Sequence, residues 1–108
     1  MDVSPLVERI RTALASLTPD PIEEKRMFSG VGFMWRGRLV VGTHGADELV
    51  LPLGKGADPG DGLRPMVMGE RVSEGWFFVA PEAFETDAAL EALLRRSMAY
   101  LETLPRRS

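Results

Sequence analysis

The chain has 108 residues, 44% of them hydrophobic and 27% charged, with a formal net charge of −3. That length and balance suit one globular domain spanning 1–108 and argue against disorder. The acidic balance gives no broad attraction to nucleic acid or anionic lipid, and the absence of cysteine excludes disulfides and thiolate chemistry.

Asp2, Glu8, Arg9 and Arg11 interrupt the start of the chain, so no signal-peptide core is present. No apolar run elsewhere nears the ~20 residues that a membrane helix needs. A cytoplasmic location is the expectation.

Residues 5–17 read as an amphipathic helix, with Leu6, Val7, Ile10, Leu14 and Leu17 recurring at three- and four-residue steps. Ser4 can cap it, Pro5 suits its first position, and Pro19 and Pro21 stop it. Four strand-like runs follow, Lys25–Ser29, Val31–Trp35, Leu39–Thr43 and Leu49–Leu53. Arg36-Gly37 reads as a hairpin turn, although arginine disfavours the positive φ of a type I′ turn. His44-Gly45-Ala46-Asp47 reads as the next reversal. Phe33-Met34-Trp35 and Leu39-Val40-Val41 are apolar on consecutive residues, which predicts cover on part of the second sheet face, by a helix or another subunit.

The glycines and prolines of 54–65 predict an exposed loop. Two more strands follow, Met66–Met68 and Trp76–Ala80, with Gly69 to Gly75 turning between them. Leu90, Leu93, Leu94, Met98, Leu101 and Leu104 then form one apolar helical stripe that Thr86 can cap and Pro105 ends. The order predicts an α+β fold, a two-layer sandwich whose mainly antiparallel sheet is flanked by N- and C-terminal helices.

The chemical inventory is thin. His44 is the single histidine, and beside Asp47 and Glu48 it reads as a solvated turn rather than a metal site. Ser29 lacks a nucleophile elbow. Gly30-Val31-Gly32 lacks the third glycine and the helix of a dinucleotide motif, and Gly54-Lys55-Gly56 lacks the hydroxyl and helix of a phosphate loop. The acidic pairs Glu23-Glu24 and Asp47-Glu48 are not embedded in apolar runs that would raise a carboxyl pKa. Sixteen acids oppose thirteen bases, and no basic stripe interleaves with aromatics, so direct DNA binding is not expected. No catalytic residue, metal or cofactor follows from the residues. The aromatics Phe28, Phe33, Trp35, Trp76, Phe77 and Phe78 read first as core; Trp35, Trp76 or Phe78 on an outward strand face could instead anchor a partner subunit.

Arg26-Met27-Phe28-Ser29-Gly30-Val31-Gly32-Phe33-Met34 resembles the opening signature of the TfoX/Sxy N-terminal domain family. Asp47-Glu48-Leu49-Val50-Leu51, Arg64-Pro65-Met66, Gly75-Trp76-Phe77-Phe78-Val79 and the helix ending at Leu104-Pro105 resemble its later pieces in order. Ser29 departs from the family's usual glycine, and Pro52 from a common Arg or Lys. The 54–65 stretch replaces a short helix, and the chain stops where full-length relatives continue into a second domain. The resemblance implies a secretion-chaperone-like α+β fold and a non-enzymatic regulatory or protein-interaction domain. Through full-length members it implies a link to competence and transcription regulation. A homodimer and an unidentified protein partner are expected, with Arg26, Met27, Phe28, Gly30, Gly32 and Phe33 as motif or binding residues. The alternative is a small-molecule-binding domain or an enzyme with a pocket near Arg26, between sheet and helices.

Overall fold

A computed structural model describes residues 5–27, 30–45, 47–54, 63–68 and 71–104. Helix α1 (Pro5–Leu17) leads into strands β1 (Ile22–Met27), β2 (Gly30–Trp35), β3 (Arg38–His44) and β4 (Glu48–Pro52). Strands β5 (Leu63–Met68) and β6 (Arg71–Val79), a 3-10 turn at Pro81–Phe84 and helix α2 (Asp87–Glu102) complete the order. All pairings are antiparallel, in the order β1-β2-β3-β4-β6-β5. The first four strands form a meander. The last hairpin then places β6 against β4 and leaves β5 at the edge.

Both helices lie on one face of the sheet. Leu6, Val7, Ile10, Ala13 and Leu14 of α1 share a single core with Leu90, Leu93, Leu94, Met98 and Leu101 of α2. The sheet contributes Phe33, Trp35, Val40, Val41, Leu49, Leu51, Phe77 and Val79. Each fully buried aliphatic or aromatic side chain contributes about 1.5–3 kcal/mol by leaving water. Arg9 ties the helices at their rim, donating to the Phe84 carbonyl at 2.8 Å and to Asp87 at 3.3 Å.

The predicted first helix matches α1 residue for residue, and Thr86 caps α2 by accepting from the Ala89 N–H at 3.1 Å. The caps proposed at Ser4 and the stop at Pro105 lie outside the described residues. Leu104 follows the end of α2 and packs against the core from outside it. Strand β1 runs earlier than expected, over Ile22–Met27. Leu63–Pro65, read as loop, are already in β5, and 71–75, read as turn, belong to β6. The glycine and proline density misled here because an edge strand tolerates proline and a bulged strand tolerates glycine. The register between β5 and β6 does slip between Pro65 and Met66.

A local irregularity accounts for the run Val40-Val41, whereas β4 is buried on both faces, with Val50 and Pro52 buried on the side away from the helices. The β2–β3 register slips between Phe33 and Met34, opposite an extra residue in β3, and Val40 and Val41 are both fully buried in the same core. A bulge of this kind locally breaks strand alternation. Met34 and Leu39, by contrast, pair on the opposite face and stay half-buried. Among the described residues no helix lies on that face.

The turn at Arg36-Gly37 is also a correction. Arg36 has φ of 54° and Gly37 of 81°, the paired positive angles of a type I′ hairpin. The Arg36 side chain offsets the unfavourable backbone by lying 4.4 Å over the Trp35 ring and pairing with Asp20 at 3.0 Å.

Ser97 is a polar residue at the centre of the core. It is fully buried, and its hydroxyl donates to the Val40 carbonyl at 2.6 Å. That bond satisfies a backbone acceptor beside the β3 irregularity. Ser97→Ala is therefore expected to cost about 1–2 kcal/mol in urea unfolding, the penalty of an orphaned buried carbonyl. A neutral result would mean the carbonyl finds another donor.

Candidate functional site

Two surfaces merit comparison: the helix-side cleft where the motif residues were expected to gather, and the sheet face on which no described helix lies. Between α1 and β1 lies a cleft of about 450 Å3, lined by Arg11, Leu14, Thr18, Asp20, Glu24 and Phe33 among others. Its position between sheet and helix fits the predicted pocket, but the arginine in it is Arg11. Arg26 is exposed near the end of edge strand β1, paired in register with Val31, and does not line this cleft. Met27 ends β1 opposite Gly30. Phe28 lies outside the described residues.

The remaining motif residues serve close packing. Phe33 is fully buried. A Cβ on Gly30 would collide with the Thr43 hydroxyl and with the Thr43 backbone carbonyl. Gly32 is buried and pairs with Gly42.

The electrostatics of the cleft do not favour an anionic ligand. Arg11 Nε and Nη2 donate to the two Glu24 oxygens at 2.8 Å each, and Nη1 donates to Glu8 at 2.7 Å. The hydrogen bond from Arg11 holds the Glu24 carboxyl below its ordinary value. A ligand would have to displace two carboxylates that already use the guanidinium fork.

Asp20, near the same cleft, accepts from Trp35 Nε1 at 3.0 Å and from Arg36 Nε at 3.0 Å, and these bonds lower its pKa, the Trp35 bond most. On the other sheet face the Arg64 fork, bonded to Glu48 at 2.8 and 3.0 Å, lowers the Glu48 pKa in turn. Folding thus lowers three carboxyl pKa values from ordinary values of 3.8 and 4.5. The native state binds fewer protons than the unfolded chain, so this stabilisation is present above those values and is lost as pH falls through the native ones. Thermal melts are expected to show Tm falling below about pH 4.5, with a shallower fall for Asp20→Asn. An Asp20→Asn profile parallel to wild type would remove Asp20 from that account.

The sheet face away from the helices carries a different set. Trp76 and Phe78 stand there half-buried, paired in register with Pro52 and Val50 of β4. His44 stacks on Phe78 with ring centroids 4.5 Å apart, and Arg64 lies 5.0 Å above the same ring. Met34 and Leu39 continue the apolar surface towards β1, where Glu23 and Lys25 pair with Met34 and Gly32. Of the three aromatics proposed as anchors, Trp76 and Phe78 occupy this face. Trp35 does not: it points to the helices, is 4% exposed and joins the core, because the β2 alternation places it with Phe33. The contribution of Arg64, His44 and Glu48 was not anticipated. Arg64 and Glu48 sit 16 residues apart, and only the β4-β6-β5 order brings them together.

Among the described residues no three His, Asp or Glu side chains are grouped so as to hold a metal ion. No helix among them is long and apolar enough to cross a membrane.

No curated protein and no solved structure matches the chain. The family model of the TfoX N-terminal domain matches residues 12–101, from within α1 to the end of α2. The helix–sheet–helix order and the match over most of the sequence agree, and the chain belongs to the TfoX N-terminal domain family.

Proposed function

We propose that the chain is a non-enzymatic interaction domain with a regulatory role, acting in the cytoplasm as a homodimer that closes over the sheet face on which no described helix lies. The observation that carries this reading is the placement of both helices on one side, which leaves Trp76 and Phe78 half-buried on the other. An apolar centre with a polar rim is the usual anatomy of an interface, and aromatic residues supply most of its anchors. A second copy suits the face because its charges are self-complementary. Arg64 and Glu48 neutralise each other, while Glu23 and Lys25 set both signs side by side on β1. An isologous contact requires such a patch.

Family membership supports the regulatory role, with transcription regulation and competence as its proposed setting. The same membership supports a non-catalytic domain. Cysteine-free composition suits the reducing compartment. The domain is proposed to meet DNA only through its partners.

Sedimentation equilibrium of the full chain tests this reading. A dimer is expected at micromolar concentration, and Trp76→Lys is expected to weaken it at least about tenfold, as loss of a central aromatic anchor does. Circular dichroism checks that the variant is folded. A wild-type chain that stays monomeric, or a dimer indifferent to Trp76→Lys, would sink the assignment.

A further inference from the structure

On the helix side, the end of α1, the β2–β3 turn and the last turns of α2 border an open recess of about 330 Å3. Leu17, Met98 and Ala99 supply the smaller, apolar part of its lining, and Arg36, Arg95 and Glu102 supply its charged groups. Arg36 is the one non-glycine residue with positive φ among the described residues. Such a backbone is unfavourable for arginine and persists because its surroundings hold it.

What holds it also fixes the guanidinium. The group lies 4.4 Å over the Trp35 ring, with Nε and Nη2 each 3.0 Å from Asp20 Oδ2. Its remaining terminal nitrogen, Nη1, is 3.9 Å from Glu102 Oε2, beyond hydrogen-bonding distance. Arg95 makes a 3.5 Å contact to Glu91 one turn earlier, its one contact to an acid among the described residues. Both guanidinium groups therefore border the recess with N–H donors to spare, and that of Arg36 is positioned before any ligand arrives. Pre-positioned donors lower the ordering cost of binding. The Glu102 carboxylate stands near Arg36 without bonding to it, so an external anion would compete with a weak occupant rather than a tight one.

We propose that this recess binds a small ligand carrying a carboxylate or phosphate on a compact apolar body. Arg36 and Arg95 hold the anion, and Leu17, Met98 and Ala99 receive the body. Arg36 Nη1 and the Arg95 guanidinium can donate to either anion.

Arginine Nε–H signals and backbone amides of the full chain, followed by NMR, provide the test with benzoate, phenyl phosphate and inorganic phosphate as probes. Saturable shifts at Arg36, Arg95 and Ala99 are expected in the millimolar range, and the stronger of the two aromatic probes identifies the anion. Inorganic phosphate, lacking the body, is expected to bind at least about threefold more weakly than phenyl phosphate. Arg36→Gly suits the positive φ and keeps the turn, and Arg95→Ala suits an exposed helix; each is expected to weaken binding about tenfold. Glu102→Gln, which removes the competing carboxylate, is expected to tighten it severalfold. Shifts that stay linear to about 20 mM, or that persist unchanged in the Arg36→Gly, Arg95→Ala double variant, would overturn the proposal.

Discussion

Phe33→Ala is expected to lower the unfolding free energy by about 3–5 kcal/mol, the range for an aromatic ring deleted from a packed core. The ring is fully buried and lies on β2 in register with Val41 and Glu24, beneath the helices. Removing it leaves a void that α1 cannot fill without breaking its own contacts along Ile10 and Leu14. A domain of this size has a total stability of about 5–15 kcal/mol, so the variant should sit near the threshold of folding at 37 °C. Urea unfolding checks it through a lower midpoint at unchanged slope. A loss under about 1 kcal/mol would show that the core closes around the missing ring.

Gly30→Ala is expected to cost at least about 2 kcal/mol, although it adds only one methyl group. The new carbon would overlap the hydroxyl and the backbone carbonyl of Thr43. Thr43 has little room to withdraw. It is paired with Leu49, and its hydroxyl accepts the Val31 N–H at 2.9 Å. Thr43→Ala should not rescue the variant, because the backbone carbonyl remains in the way. Equal stability of Gly30→Ala and wild type would show that the two strands separate there at little cost. Together the two variants ask whether the family signature is a packing motif. In the structure Gly30 has no room for a side chain beside Thr43, and Phe33 is fully buried.

The terminal helices were legible because their stripes are long and regular. Leu6, Ile10 and Leu14, and Leu90, Leu94 and Leu101, sum over many turns and outweigh any single misleading residue. The strands were found, but their ends were not, since glycine and proline were taken as loop markers where β5 and β6 absorb them at an edge and a register slip. Val40-Val41 looked like evidence for a second covered face. A bulge produces the same consecutive pattern with one face covered, and local sequence does not separate the two.

The candidate surfaces were less legible than the fold. Trp35 and Trp76 look alike as sequence, each aromatic within an apolar run. Their sides are set by strand register, and the Trp35 indole is further claimed by Asp20 across an irregular connection. Arg26 drew attention because it opens the family signature, whereas the cleft holds Arg11 from α1. Arg36 was read as a poor turn residue, and the contacts that explain it come from the preceding indole and from Asp20, 16 residues earlier.

The strand order has a consequence for synthesis. As the nascent polypeptide emerges, the β1–β4 meander can assemble from neighbouring segments, but only α1 is then present to shelter its oily side. Leu90, Leu93 and Leu94 arrive after every strand has been made. Vectorial production thus imposes an interval in which Leu49, Leu51 and Phe77 lack their roof. During that interval the unfinished protein exposes apolar surface that the completed one buries.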